Sequence, residues 1–211
     1  KGAEAPNRML LLELLAQVVG DADSHAIEAT VKRDPQLSYH LVKLVNSVAF
    51  SPHARIASFS QAIALLGRRQ LQRWLQLLLY SRAQKDNSAN LLMPQAAWRA
   101  GLLESLCARS GGNREAQDRA FMVGMFSLLD TLFGMPLAAI VGPLNLADEA
   151  TQALVERRGP LGLLLRAAIA GEQRGDDDLA AVLDEAGVSH EGWGRSVIHA
   201  CQWAVQVSRD A

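Results

Sequence analysis

Apolar residues recur at helical spacing along most of this chain, and this spacing constrains the possible fold more than any other feature. Asp34-Pro35 is typical of a helix start, with an N-cap residue followed by proline at the first helical position. Behind it, aliphatic residues at helical intervals share one face: Leu37, Leu41, Leu44, Val45 and Val48. No segment alternates apolar and polar residues between turn residues, as a half-buried strand would. We therefore predict an all-α protein of about ten helices.

Turn and polar segments predict how these helices are organised. Gly67 is expected to end a short helix, and polar residues from Lys85 to Asn90 predict a linker between two packed helical subdomains. We expect residues 1–8 to be a leader from a longer protein, because the chain opens without methionine, and residues 9–84 and 91–208 to form the two subdomains. In the second subdomain, the spacing predicts one helix from about Gln95 to Ser110 and another from Glu115 to Phe133.

The charge balance and the cysteine content exclude several classes of protein. Lys and Arg number 21 against 22 Asp and Glu, so the formal net charge is −1. The chain therefore has no general attraction for nucleic acid or for anionic membranes. No run of about 18 apolar residues indicates a transmembrane helix. Cys107 and Cys201 are too few and too far apart for a disulfide framework, and we expect a cytoplasmic protein.

Two consecutive motifs resemble a known family. The segments "VKRDPQLSYHLVKLVNSVAF" and "ARIASFSQAIALLGRRQLQRWL" resemble HDOD domains, bacterial signalling modules whose all-α fold is related to the HD phosphohydrolases. The second half, with "GMFSLLDTLFGMP" and a closing "ACQWA", is similar to the HDOD domain found after an EAL domain, the cyclic di-GMP phosphodiesterase module of bacteria. The matching residues include Asp34, Pro35, Asn46, Ser47 and Gly67.

The resemblance implies a regulatory module rather than an enzyme. HD phosphohydrolases bind divalent metal through an adjacent His-Asp pair, and that pair would fall where this chain has Ser127-Leu128. Serine is a poor ligand for such a metal and leucine is none. The histidines are scattered without metal-ligand spacing: His25, His40, His53, His190 and His199. We expect no metal and no cofactor, and a protein partner such as the chain's own EAL domain or a second copy. A degenerate phosphohydrolase and a nucleotide-sensing domain are the alternatives.

A few polar and aromatic residues remain as candidates. Asp130 lies three residues after Ser127 in an apolar helix and is expected to be a satisfied structural carboxylate, the alternative being a lone ligand or general base. Arg69 and Arg73 share a helix face that either faces water or binds a phosphate or an acidic partner. Trp203 is either an interface anchor or buried against a neighbouring helix.

Overall fold

Helices form every regular element that the computed structural model describes, in residues 8–34, 37, 59–81, 88–173 and 176–210. The prediction of an all-α fold is confirmed. The chain divides into two compact units, residues 1–84 and 85–211. Within the described ranges, no single helix is long and apolar enough to cross a membrane.

The described part of the first unit is built around the leucines of its first helix. Its helices are α1 (Arg8–Val19), α2 (Ser24–Val31) and α3 (Phe59–Ser81). Most side chains that α1, α2 and α3 bury almost completely are aliphatic: Leu11, Leu14, Leu15, Ile27, Leu71, Leu75 and Leu79. Tyr80 and Gln76 of α3 are buried with them. Gln17 Nε2 donates to Thr30 Oγ1 (2.9 Å) and ties α1 to α2. At Gly67 the backbone of α3 leaves the helical region (φ 73°, ψ 158°), which glycine allows, so the predicted break there is confirmed.

The second unit surrounds one long central helix. Its elements are α4 (Ser88–Arg109), α5 (Arg114–Phe126), α6 (Leu129–Phe133), α7 (Leu137–Val141), a 3₁₀ turn (Gly142–Leu144), α8 (Asp148–Val155), α9 (Gly159–Glu172), α10 (Asp176–Glu185) and α11 (His190–Asp210). Helix α4 packs extensively against both α5 and α11. It begins at Ser88 rather than near Gln95 and continues through Pro94, so the predicted start was too late.

Small residues allow the central helix to approach its neighbours closely. A Cβ atom on Gly124 of α5 would lie 2.5 Å from both the Cα and N atoms of Ala100 in α4. A Cβ atom on Gly101 would lie 3.0 Å from Cδ1 of Trp203 in α11. Side chains larger than hydrogen at these two glycines would force the helices apart, because packed interiors leave no room for an added methyl group.

The predicted helix from Glu115 to Phe133 is two helices in the structure. Helix α5 ends at Phe126, and α6 begins at Leu129. At the break, Ser127 Oγ donates to the carbonyl oxygen of Gly124 (2.7 Å). A serine hydroxyl competes with the backbone for such carbonyls and favours a helix end, a local effect that apolar periodicity does not register.

Candidate functional site

Arg99 lies in the core of the second unit, with only 6% of its surface exposed. It projects from α4, and each of its three guanidinium nitrogens donates a hydrogen bond. Nε donates to Oε1 of Glu172 (2.8 Å) and Nη2 to Oε2 (2.6 Å), while Nη1 donates to Ser127 Oγ (3.0 Å). Two parallel bonds to one carboxylate are the strong, geometrically specific form of an arginine ion pair. The buried cation is therefore compensated by both charge and hydrogen bonding.

Glu172 is held at a helix end that does not favour a carboxylate. It is the last residue of α9, where the helix dipole places partial negative charge. Its side chain is 20% exposed. Gln95 Nε2 donates to Oε2 of Glu172 (2.8 Å), in addition to the two bonds from Arg99. Together these donors offset the unfavourable position.

Ser127 links this ion pair to the break between α5 and α6. The residue is 2% exposed, and its hydroxyl donates to Gly124 and accepts from Arg99. A hydroxyl has one proton to donate and lone pairs to accept, so both interactions are made at once. Leu128, the next residue, is also buried. The Ser127-Leu128 dipeptide thus lies beside a buried guanidinium.

Asp130 and Arg157 complete this charged cluster. Asp130 is half-buried in the first turn of α6, and its Oδ1 accepts from the N–H (2.7 Å) and the hydroxyl (3.4 Å) of Thr131. The expected placement on a buried central helix is corrected, because the break at Ser127 moves Asp130 to a helix start. Burial and, next, the charge of Arg99 lower the pKa of Arg157, while Asp130 acts in the opposite direction.

The cluster provides fixed charges and hydrogen-bond donors. In the described ranges, no three His, Cys, Asp or Glu side chains are grouped to hold a metal ion. His25, His190 and His199 are exposed, and His40 and His53 lie outside the described residues. The chemistry that this arrangement of arginines and carboxylates supports is the binding of charged groups.

An open cleft of about 390 Å³ lies elsewhere in the second unit, between the ends of α4, α5 and α9. Cys107 and Leu161 line it, together with Arg119 and Glu149, which form an ion pair through Nε and Oε1. Burial raises the pKa of the Cys107 thiol; Arg119 opposes this, and Glu149 adds to it. The thiol is therefore mainly protonated at neutral pH and is a weak nucleophile.

The predicted residues of the first unit are placed only in part. Asp34 Oδ1 accepts a hydrogen bond from the N–H of Leu37 (3.2 Å), which is the bond that an N-cap residue makes. Pro35, Asn46 and Ser47 lie outside the described residues.

The two predicted surface arginines of the first unit are not simply solvated. Arg69 and Arg73 are half-buried, and each interacts with another group of the chain. Contact of this face with an acidic partner stays a prediction.

Trp203 is half-buried and packs against helices of the second unit. Its ring meets that of Phe121 edge to face, with centroids 6.1 Å apart and planes at 67°. Its indole also covers Gly101. These contacts favour the alternative, packing against neighbouring helices, and a role of Trp203 as an interface anchor stays a prediction. The physical reason is that Gly101 has no side chain, which leaves space on α4 for the indole.

Three residues that organise the charged cluster are not among the residues predicted from the sequence: Arg99, Arg157 and Glu172. The available signal for Arg99 was a charged residue within the small and apolar run "AAWRAGLL", where an arginine needs a partner. No local pattern identifies Glu172 as that partner, because the two residues are 73 positions apart.

Comparisons with known proteins agree with the fold. The HDOD domain model matches residues 9–135. The cyclic di-GMP phosphodiesterase CdgJ of Vibrio cholerae is 29% identical over 208 residues, which cover 97% of this chain and 47% of CdgJ. The uncharacterized protein YuxH of Bacillus subtilis is 34% identical over 127 residues, 59% of this chain and 31% of YuxH. The chain thus covers less than half of each relative. No solved structure matches significantly.

Proposed function

The chain belongs to the HDOD family, and on that premise we propose that it is a non-catalytic signal-transduction module, the C-terminal regulatory half of an EAL-HDOD cyclic di-GMP signalling protein. The similarity of nearly the whole chain to a cyclic di-GMP phosphodiesterase supports a role in signalling. More than half of that relative lies outside the match, which leaves room for a separate catalytic domain. The proposed location is the cytoplasm, where cyclic di-GMP signalling modules act.

The observation that carries the non-catalytic proposal is the contact between Arg99 and Ser127. The metal-binding His-Asp pair of HD phosphohydrolases would fall at Ser127-Leu128, and the Nη1 atom of Arg99 lies 3.0 Å from Ser127 Oγ. The Ser127 hydroxyl is already engaged, because it accepts from Arg99 and donates to the carbonyl oxygen of Gly124, and the neighbouring Leu128 has no ligand atom for a divalent ion. The side chains present therefore do not fit a metal centre.

The proposed mechanism is recognition of another protein. The partner would be the EAL domain of the same protein or a second copy of this chain. A module that binds one state of its partner more tightly than another shifts the population toward that state, and it needs no chemistry of its own. Regulation of a phosphodiesterase rate is then the expected output.

A two-part assay tests this function. The purified chain is first incubated with cyclic di-GMP and with bis(p-nitrophenyl) phosphate, with and without Mg²⁺ or Mn²⁺. We expect no metal-dependent hydrolysis. The chain is then added to the separately purified EAL half, and we expect the rate of cyclic di-GMP hydrolysis by that half to change.

Two matched variants identify the source of any hydrolysis. Asp130→Asn removes one of the two carboxylates of the cluster, and Asp184→Asn removes an exposed carboxylate of the same unit. Metal-dependent hydrolysis that disappears with Asp130→Asn but survives Asp184→Asn would establish the degenerate phosphohydrolase instead. Binding of cyclic di-GMP without hydrolysis and without an effect on the EAL half would favour the nucleotide sensor.

A further inference from the structure

Arg157 has a backbone conformation that arginine rarely adopts. Its φ of 58° lies in the left-handed region, just after α8, where the N–H of Arg158 donates to the carbonyl oxygen of Gln152 (3.4 Å). Glycine usually occupies this position of a helix end. The other described non-glycine residues with positive φ are Asp21 and Asn145, types whose short polar side chains tolerate it. An arginine held in this disfavoured backbone conformation suggests that its side chain has a function.

The packing around Arg157 holds this conformation in place. A Cβ atom on Gly162, at the start of α9, would lie 2.5 Å from the carbonyl carbon of Arg157 and 2.7 Å from its oxygen. The first turn of α9 therefore rests directly on the Arg157 backbone. Any residue other than glycine at position 162 would displace this backbone and, with it, the guanidinium.

The guanidinium of Arg157 has an unused donor. Its Nη1 atom is buried, and within the described ranges no group accepts a hydrogen bond from it. Buried donors of charged groups are nearly always satisfied, because they lose their hydration without compensation otherwise. A ligand or a water molecule is needed to complete this position.

The ligand that suits an unused guanidinium donor is an anion. Arg99 forms an ion pair with Glu172, and the Glu172 carboxylate weakens the repulsion between Arg99 and Arg157. Asp130 attracts Arg157, but its Oδ1 is engaged by Thr131. The pKa of Arg157 is nevertheless lowered, first by burial and then by Arg99. An anion bound at Arg157 would offset this lowering of the pKa, since it would stabilise the charged guanidinium.

We propose that the guanidinium of Arg157, through its buried and unused Nη1 donor, forms a binding site for a small oxyanion of the phosphate class. The planar set of N–H donors on a guanidinium matches the oxygen geometry of phosphate. The site concerns ligand binding alone and does not depend on the proposed regulatory function. Free phosphate and a phosphomonoester share the required chemistry, so the experiment includes both.

The test is a titration of the intact 211-residue chain followed by the arginine Nε–H signals in NMR spectra. Inorganic phosphate, glycerol 2-phosphate and acetate are added separately at constant ionic strength. We expect a saturable shift with a phosphate ligand. Arg157→Gln should raise the Kd roughly 10- to 100-fold, the loss expected for one charge-assisted hydrogen bond. Arg158→Gln is the matched control, because it removes the same charge from an adjacent side chain that is 80% exposed, and it should leave the Kd unchanged.

The relative Kd values identify the ligand. Tighter binding of glycerol 2-phosphate than of inorganic phosphate would assign the site to phosphomonoesters, and the reverse order to free phosphate. No saturable response, equal loss of affinity in both variants, or acetate binding as tight as phosphate would overturn the proposal.

A second variant separates ligand binding from folding. Glycine fits the left-handed position, so Arg157→Gly should retain or raise the Tm in chloride buffer and should lose the increase in Tm that phosphate gives the natural chain. A decrease of more than about 4 °C in chloride buffer, equivalent to roughly 1–2 kcal/mol in a chain of this size, would mean that the side chain is structural. That result would also overturn the proposal.

Discussion

The ion pair between Arg99 and Glu172 provides a quantitative test of how the second unit is held together. Arg99→Met replaces the cation by an apolar side chain of similar length, and among the described residues it leaves the carboxylate of Glu172 with Gln95 as a side-chain donor. Glu172→Met leaves the guanidinium with Ser127 as its acceptor. The double substitution replaces the pair by two apolar side chains and leaves no charge unpaired.

The expected magnitudes follow from the burial of each partner. Removing one partner of a buried ion pair costs about 3–5 kcal/mol. The side chain of Arg99 is 7% exposed and that of Glu172 is 20% exposed, so an orphaned Glu172 regains more water than an orphaned Arg99. We expect a loss of about 3 kcal/mol for Arg99→Met and about 4 kcal/mol for Glu172→Met. Because the double variant leaves neither charge of this pair orphaned, it should lose about 2 kcal/mol or less, which is less than either single variant loses.

The assay is urea unfolding followed by tryptophan fluorescence in a Trp74→Phe background. Trp74 is in the first unit, so the remaining tryptophans report on the second unit. The free energy of unfolding is obtained from the midpoint and an unchanged m-value. Arg195→Met is the control, because its ion pair with Glu191 is exposed at both ends (65% and 74%) and should contribute less than about 1 kcal/mol.

A loss below about 1 kcal/mol for Arg99→Met would refute this reasoning, since a buried pair would then be no stronger than an exposed one. Strict additivity in the double variant would also refute it, because the two side chains would not interact.

Two further predictions concern packing and thiol chemistry. Gly124→Ala should lower the free energy of unfolding by about 1–3 kcal/mol, because the added Cβ meets the backbone of Ala100. Gly194→Ala has open space at its Cβ position and should raise the free energy of unfolding by up to about 1 kcal/mol through helix propensity. Urea unfolding measures both changes. Exposed Cys201 should react with iodoacetamide well before buried Cys107 at pH 8, as peptide mass spectrometry would show. Because burial raises the pKa of Cys107, alkylation of Cys107 should accelerate as the pH rises. The protonated thiol contributes to stability fully below about pH 8.5, and this contribution should decrease as the pH rises further. Equal stability changes at the two glycines, or equal labelling of the two thiols at pH 8, would contradict the corresponding argument.

Local signals predicted the elements of the fold well. Helical spacing without strand alternation indicated an all-α chain, and Gly67 was identified as a break in what is otherwise one element. Asp34 makes the hydrogen bond that its position before a proline indicated. These features depend on residues within one or two helical turns of each other, so they can be predicted from the local sequence.

Apolar spacing and turn residues gave wrong helix boundaries at two places, one where a side chain bonds to the backbone and one where a helix includes a proline. The helix predicted through Ser127 is broken, because the serine hydroxyl bonds to a backbone carbonyl. The helix predicted to start near Gln95 starts at Ser88 and includes Pro94. Proline normally disfavours a helix interior, and here the packing of α4 against α5 and α11 outweighs that preference.

The sequence by itself determined the helical class of this protein, its family resemblance and the presence of Ser127-Leu128 where a metal-binding pair would stand. Only the tertiary structure decided which charges meet. Arg99 finds Glu172 across 73 positions, and Arg157 is left with a buried, unused donor among the described residues. Helix formation is encoded by neighbours along the chain, whereas the energy of a buried charge depends on what the packing of distant helices brings beside it.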